Sequence, residues 1–287
     1  MNKIECSWGC INYATWNENS DKTPIIALHG WLDNCQSFEP LSNHITNPII
    51  AVDLPGHGLS SHLPPGSWYH FVDYVIRIHE FLELLDIKKF HLIGHSLGGA
   101  IATLYASMFK EKIDKLILVD GFGPLLFDDD SARENLQQAI SSRLKTEKKK
   151  PRIYKDIKTA IKATAESRQL SLENAELLVS HHTKQVDGGF EWTYDHKLKY
   201  TSPLRMTPAQ LKSFVKEISI RTLLITVNNG YLVNSNQWPM TDLIDGLIIN
   251  KVDGPHHFHM ERPQETAGLI NGFLLKSPRC KQRDICS

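Results

Sequence analysis

Phe90-His91-Leu92-Ile93-Gly94-His95-Ser96-Leu97-Gly98-Gly99 joins an apolar run to a glycine-flanked serine, after which small residues recur at Ala100, Ala102 and Ala106. The run up to Gly94 reads as a buried strand, and the alanines that follow read as a helix packed close against its neighbours. Gly94 to Gly98 therefore has the form Gly-x-Ser-x-Gly in a strand–turn–helix setting. Such a tight bend thrusts the serine hydroxyl outward, while the glycines let strand and helix approach each other. The plain alternative is a glycine-rich turn whose serine does no chemistry. A nucleotide loop is disfavoured, because neither Gly-x-Gly-x-x-Gly nor a Gly-Lys-Ser/Thr ending is present.

Similar units lie on both sides. Pro24 to Leu28 runs into His29-Gly30, Ile49 to Val52 into Asp53-Leu54-Pro55-Gly56-His57-Gly58, and Leu116 to Val119 into Asp120, while Tyr69 to Leu85 has helical apolar spacing. Strands alternating with helices predict an α/β protein in which helices cover both faces of a mostly parallel sheet. The rhythm stops after Gly121-Phe122-Gly123-Pro124 and resumes at Thr222 to Val227, then Leu247 to Val252 and a helix from Gln264 to Leu275. We expect core segments at 1–124 and 211–287, with a helical lid or cap inserted at 125–210. Within the insertion, helices are expected over Ala132 to Lys145, Ile153 to Glu166 and Leu172 to Val179, followed by a polar, aromatic connection holding Phe190, Trp192 and Tyr194.

At 287 residues the chain can bury one large core. Its 32 basic and 32 acidic residues cancel, giving no general attraction to nucleic acid, and none is expected as a partner. The balance is uneven locally. From Ser141 to Lys162 nine Lys and Arg face two acidic residues, a formal charge of +7 that reads as a solvated lid surface or as an attractor of anions or a membrane surface. No signal peptide or transmembrane run is evident. The scattered cysteines, Cys6, Cys10, Cys35, Cys280 and Cys286, suit a reducing compartment. A cytoplasmic location is expected; Ile285-Cys286-Ser287 is not the usual Ser-Lys-Leu peroxisomal address, and peroxisomal association stays open. Whether the chain is a monomer or a homodimer is not legible.

A serine needs a base to become nucleophilic at neutral pH. His256, in the turn Gly254-Pro255-His256 after the last strand, is the expected base; His257 is the alternative, and no metal site is expected, since the spacing of His256, His257 and His259 lacks the His-Glu-x-x-His pattern. A third member should orient the imidazole. The strand resuming at Thr222 ends in Asn228-Asn229-Gly230, without a carboxylate, so Asn229 could orient the ring but not supply charge. Asp120, at the end of the strand after Ser96, is the favoured acid, with Asp242, Asp245 or a two-residue site as alternatives and loop bracing as its structural role. Backbone N–H groups of Trp31 and Leu97 are placed to face a developing oxyanion. Asp33, Asn34, Asp53 and His57 read as structural.

The segments Leu28 to Asn34, Asp53 to Gly58, Gly94 to Gly99, Leu118 to Gly121 and Gly254 to His256 resemble those of the α/β-hydrolase superfamily, and within it the serine hydrolase-like proteins. The resemblance implies an eight-stranded, mostly parallel sheet, a lid after the sixth strand and hydrolysis through an acyl-enzyme, with no cofactor. It also implies an acid after the seventh strand, where Asn229 departs from the pattern; some members carry theirs after the sixth, as Asp120 would be. Serine at the elbow argues against dehalogenase and epoxide-hydrolase chemistry. The expectation is thus a serine hydrolase acting on a small-molecule ester or related acyl compound through Ser96, His256 and Asp120; the alternative is a catalytically weak binding or scaffolding protein on the same fold.

Overall fold

The computed structural model describes residues 1–128, 130–228 and 230–275; Asn229, Cys280 and Cys286 lie outside them. Eight strands form one sheet: β1 (Asn2–Cys6), β2 (Gly9–Trp16), β3 (Ile25–Leu28), β4 (Ile49–Val52), β5 (Phe90–His95), β6 (Ile113–Val119), β9 (Arg221–Val227) and β10 (Ile248–Val252). Their order is β1-β2-β4-β3-β5-β6-β9-β10. The pairs β1/β2 and β2/β4 are antiparallel and all others parallel.

Side chains alternate across the sheet, as the two-residue period of a strand requires. Ile26, Leu28, Val52, Leu92, Leu116, Leu118 and Leu224 face one core. That side is covered by α2 (Phe71–Leu84), α3 (Leu97–Met108) and α7 (Pro208–Val215). Ile25, Ala27, Ala51, Ile93, Ile117, Val119, Leu223 and Ile225 face the other, under α1 (Glu39–Ser42), α8 (Phe258–Glu261) and α9 (Pro263–Leu275). Because both faces are covered, β3 and β5 are buried along their whole length, which explains their unbroken apolar runs.

Chain order places the functional loops. From β3 the chain moves outward to β4, then returns to lay β5 on the other side of β3. At such a reversal the loops leaving the carboxyl ends of the two strands diverge and open a crevice. The loop after β3 carries His29 to Asn34, and the turn after β5 carries Ser96. Next along the sheet, β6 ends at Asp120, beside the end of β9.

Between β6 and β9 the chain leaves the sheet. Phe127 N donates to Met206 O at 3.0 Å, pinning the two ends of the excursion together. It contains α4 (Ala132–Glu147), α5 (Ile157–Arg168) and α6 (Leu172–His182), with Ala160, Ala165, Leu178 and Val179 in a separate small core that also receives Met260. Two expectations are corrected here. Helix α5 starts at Ile157 rather than Ile153, because Asp156 caps it through the Thr159 N–H, while Tyr154 is held in an extended pairing with Phe190. The aromatic connection is partly a hairpin, β7 (Thr183–Val186) and β8 (Gly189–Trp192), turned by Asp187-Gly188 with Gly188 at φ 84°. Strands β1 and β2 were also not anticipated.

Helix α3 can sit against β3 only because Gly98 has no side chain: a Cβ there would strike the Leu28 and His29 carbonyls, and Gly98 N itself donates to His29 O at 3.0 Å. Gly98→Ala should therefore cost about 1–3 kcal/mol of folding stability, read as a lower urea midpoint. An unchanged midpoint would mean that the close approach is not needed.

Candidate active site

Ser96 links β5 to α3 with a positive φ, 51°, and ψ −112°. A non-glycine residue there is strained, and surrounding packing has to hold it. Gly121, just beyond β6, lies so close to the Ser96 backbone that a Cβ would overlap it, and Ser96 N donates to Val119 O at 3.0 Å. The side chain is half-buried, within reach of solvent.

Asp120 also has positive φ, 42°, which turns its buried carboxylate toward the end of β9 and the loop after β10. Oδ1 accepts from Thr226 Oγ1 at 2.7 Å and from Val227 N at 3.3 Å, and Oδ2 lies 2.5 Å from His256 Nδ1. Burial works to raise this carboxyl's pKa, but the hydrogen bond and charge of His256, helped by Thr226 and Val227, prevail and hold it below its usual value. Asp120 is thus anionic at neutral pH and accepts from the His256 Nδ1–H. Among the described residues the Ser96 hydroxyl makes no hydrogen bond, to His256 or to any other group.

The other expected residues are distributed as follows. Trp31 stands in the loop after β3 and Leu97 at the start of α3, and among the described residues neither backbone N–H has a protein acceptor. The Trp31 indole donates to Leu198 O at 3.1 Å, tying its loop to the excursion. Asp242 and Asp245 are exposed, and Asp120 is the carboxylate on the His256 ring. Asn229 lies outside the described residues. His257 is turned the other way, onto Asp33, with Nε2 3.2 Å from Oδ2.

Beneath these groups lies a buried polar network whose members beyond Asp33, Asn34, Asp53 and His57 sequence reasoning missed. Asp33 forms an ion pair with Arg168, from the last turn of α5, and Arg168 also donates to Leu32 O at 2.8 Å. One guanidinium thus braces the loop that carries Trp31 and, through Asp33 and His257, the loop that carries His256. Burial lowers the Arg168 pKa to about 10, which leaves it charged. His95 Nε2 donates to His256 O at 3.1 Å, fixing that backbone from below. No signal in the sequence distinguishes Arg168 from the many basic residues around it.

Two clusters have metal-ligand composition, Asp33-His95-His257 and Cys35-Asp53-His181. In the first, the Arg168 cation already occupies the carboxylate, so it does not suit a second cation. In the second, Asp53 accepts from Cys35 N at 2.8 Å, Leu59 N at 2.9 Å and His181 Nε2 at 2.8 Å, a brace among three segments.

This fold, with a serine elbow and an Asp-paired histidine at the carboxyl edge of the sheet, is that of the alpha/beta hydrolases, and the chain belongs to that family, whose profile matches residues 23–263. Among individual proteins, it is 31% identical to a probable serine hydrolase of Drosophila melanogaster over 96% of this chain and 87% of that one. A serine hydrolase-like protein of Danio rerio is 28% identical over 95% and 87%. The crystal structure of a hypothetical protein from Pseudomonas aeruginosa matches with a TM-score of 0.89 at 30% identity, covering 96% of this chain and 99% of the other. Among the described residues no helix is long and apolar enough to cross a membrane.

Two outcomes follow from the buried network. Arg168→Met strands the Asp33 carboxylate and should cost about 3–5 kcal/mol, whereas adding Asp33→Asn should recover much of the loss; denaturant midpoints of the two single variants and the double variant measure the coupling, and strict additivity would refute the pairing. Acid should also unfold the chain early. Burial lowers the pKa of His29 to about 4 and those of His57 and His257 to about 3, so between these values and ~6.5 only the unfolded chain takes up their protons. Each ring therefore removes up to ~1.4 kcal/mol per pH unit as pH falls through that window. For Asp53 burial alone would raise the pKa, but its hydrogen bonds and the nearby histidines lower it to about 2. Its contribution, complete above ~3.9, is lost as pH falls toward 2. Stability measured at pH 7, 6 and 5 should decline throughout, and a flat profile would contradict the neutral assignment of these rings.

Proposed function

We propose that this chain is a serine hydrolase that cleaves a carboxylic ester or related acyl substrate. The reading is carried chiefly by the 2.5 Å contact between His256 Nδ1 and Asp120 Oδ2, formed at the same edge of the sheet as the strained elbow at Ser96. The names of the Drosophila and Danio relatives favour the same chemistry.

In the proposed cycle, Ser96 Oγ attacks the substrate carbonyl carbon as His256 Nε2 takes its proton. The carbonyl oxygen becomes an oxyanion that the Trp31 and Leu97 N–H groups receive, two donors that need not break protein hydrogen bonds to do so. The imidazolium, stabilised by anionic Asp120, protonates the leaving alcohol or thiol, and the acyl group stays on Ser96. Water enters, gives a proton to the same nitrogen and attacks the acyl-enzyme; collapse of this second intermediate returns the proton to Ser96 and releases the acid. The hydroxyl–imidazole hydrogen bond would tighten once substrate is bound, as catalytic contacts often do. Residues 125–210 would act as a lid between the core segments 1–124 and 211–287, since Arg168, Leu198 and Leu178 of that stretch bond to Leu32, Trp31 and Asn34 respectively.

Ser96→Ala should abolish both turnover of short acyl esters and covalent labelling by a serine-reactive phosphonate. Asp120→Asn should lower kcat by roughly 10^3 to 10^4, with a much smaller loss in Asn229→Ala. Unchanged turnover in Ser96→Ala would refute the nucleophile, and an equal loss in the other two variants would refute Asp120 as the sole acid. A wild-type chain inert toward an acyl-chain and leaving-group series, and unlabelled, would instead point to a binding scaffold.

A further inference from the structure

Helix α4 is unusual in what it leaves outside. It buries only Asn135 and Ala139, while Leu136, Ile140 and Leu144 are 50%, 50% and 54% exposed. These three residues are four apart and so form one row along the helix. Single apolar side chains on a surface need no explanation, but an ordered row on a helix whose other side already packs is a second apolar face. The row continues into Lys148, and the adjacent row runs Arg133, Gln137, Ser141, Lys145, Lys149.

Charge lies at the end of the same row. Lys148, Lys149, Lys150 and Arg152 follow the helix and are all exposed, within the segment of net charge +7. An open concavity of about 830 Å³, lined by Lys145, Lys149 and Lys199 with the hydroxyls of Ser141, Ser142 and Thr146, lies on the other side of α4 from the apolar row and is separate from this surface. Arg143 is not part of this surface: it pairs with Glu147 and stacks on Trp68 and Tyr200, which anchors α4 to the body of the protein.

We propose that this face of α4, with Lys148 to Arg152, docks on an anionic phospholipid surface. The apolar row would enter the boundary between headgroups and acyl chains, and the lysines that follow it would lie at headgroup level. Nucleic acid would engage the charge but leave the apolar row in water. Since no described helix can span a bilayer, the association is peripheral. The inference is independent of the proposed catalytic reading.

The test is cosedimentation of the full chain with phosphatidylcholine vesicles, with and without about one-third phosphatidylserine, at low and high salt. Two variants accompany the wild type: Ile140→Ser with Leu144→Ser, which leaves charge unchanged, and Lys148→Gln with Lys149→Gln and Lys150→Gln, which leaves the apolar row unchanged. All five positions are exposed, so urea midpoints should match wild type and verify folding. The expected result is binding to the anionic vesicles that exceeds binding to the neutral ones at least tenfold, weakens with salt, and drops about tenfold in each variant. No preference for anionic vesicles, or retained binding in either folded variant, would overturn the proposal; loss in the lysine variant alone would mean that the surface attracts polyanions by charge without inserting into lipid.

Discussion

Everything at the carboxyl edge of the sheet depends on how closely the turn between β5 and α3 is wedged between its neighbours. Ser96 holds a backbone conformation that L-residues avoid, at a cost of order 1–3 kcal/mol. It is trapped by Gly98 against the end of β3 on one side and by Gly121 beyond β6 on the other. These contacts are backbone against backbone and cannot yield by rotating a side chain. They fix three loops relative to one another: the one bearing Trp31, the one bearing Ser96 and the one bearing Asp120. His256 arrives from β10, farther along the sheet, and is joined to that frame by the Asp120 carboxylate and by the bond from His95 to its carbonyl.

A second layer ties this frame to the excursion between β6 and β9. Arg168, Leu178 and Leu198 reach the loop after β3, and His181 and His182 reach the loop after β4, where they bond to Asp53 and Gly58. These links are polar, and those to Asn34 and Gly58 are fully buried, so leaving them unsatisfied is expensive. Buried ion pairs add little net stability over apolar packing, yet breaking one is costly. The arrangement therefore favours one seating of the excursion over neighbouring ones more than it strengthens the fold. The outer face of α4 takes no part in these links, which leaves it available for another surface.

Much of this was legible in the sequence, and the limits have physical causes. Buried parallel strands ending in glycine-rich turns are conspicuous, and β3 to β6 and β9 were read from their apolar runs. Strand β1, at the sheet edge, and β2 beside it are partly exposed and alternate only weakly, giving no such signal. The β7/β8 hairpin carried one, Asp187-Gly188, masked by its polar flanks. Asp120 was legible from chain order, since it ends the strand after Ser96 and the next strand, Thr222 to Val227, is followed by Asn228-Asn229-Gly230 without a carboxylate. Arg168 lies far from Asp33 in sequence, and its role depends on how α5 and α6 settle on the core, which local pattern does not encode. For the same reason the exposed row on α4 was not legible: the residue pattern predicts a helix over this stretch, and only burial shows that its packed side is formed by Asn135 and Ala139.

The position of the acid illustrates the point most sharply. A carboxylate after β9 and one after β6 seem distinct in sequence, separated by more than a hundred residues. In the sheet β6 and β9 are adjacent and parallel, so their ends lie about 5 Å apart, one strand spacing. The positive φ of Asp120 carries its side chain across that gap, where Thr226 Oγ1 and Val227 N, at the end of β9, hold one oxygen and leave the other for the imidazole. The carboxylate is supplied by one strand and oriented by the next. In the proposed catalytic reading the negative charge thus comes from β6, the strand beside β9, and not from the loop after β9.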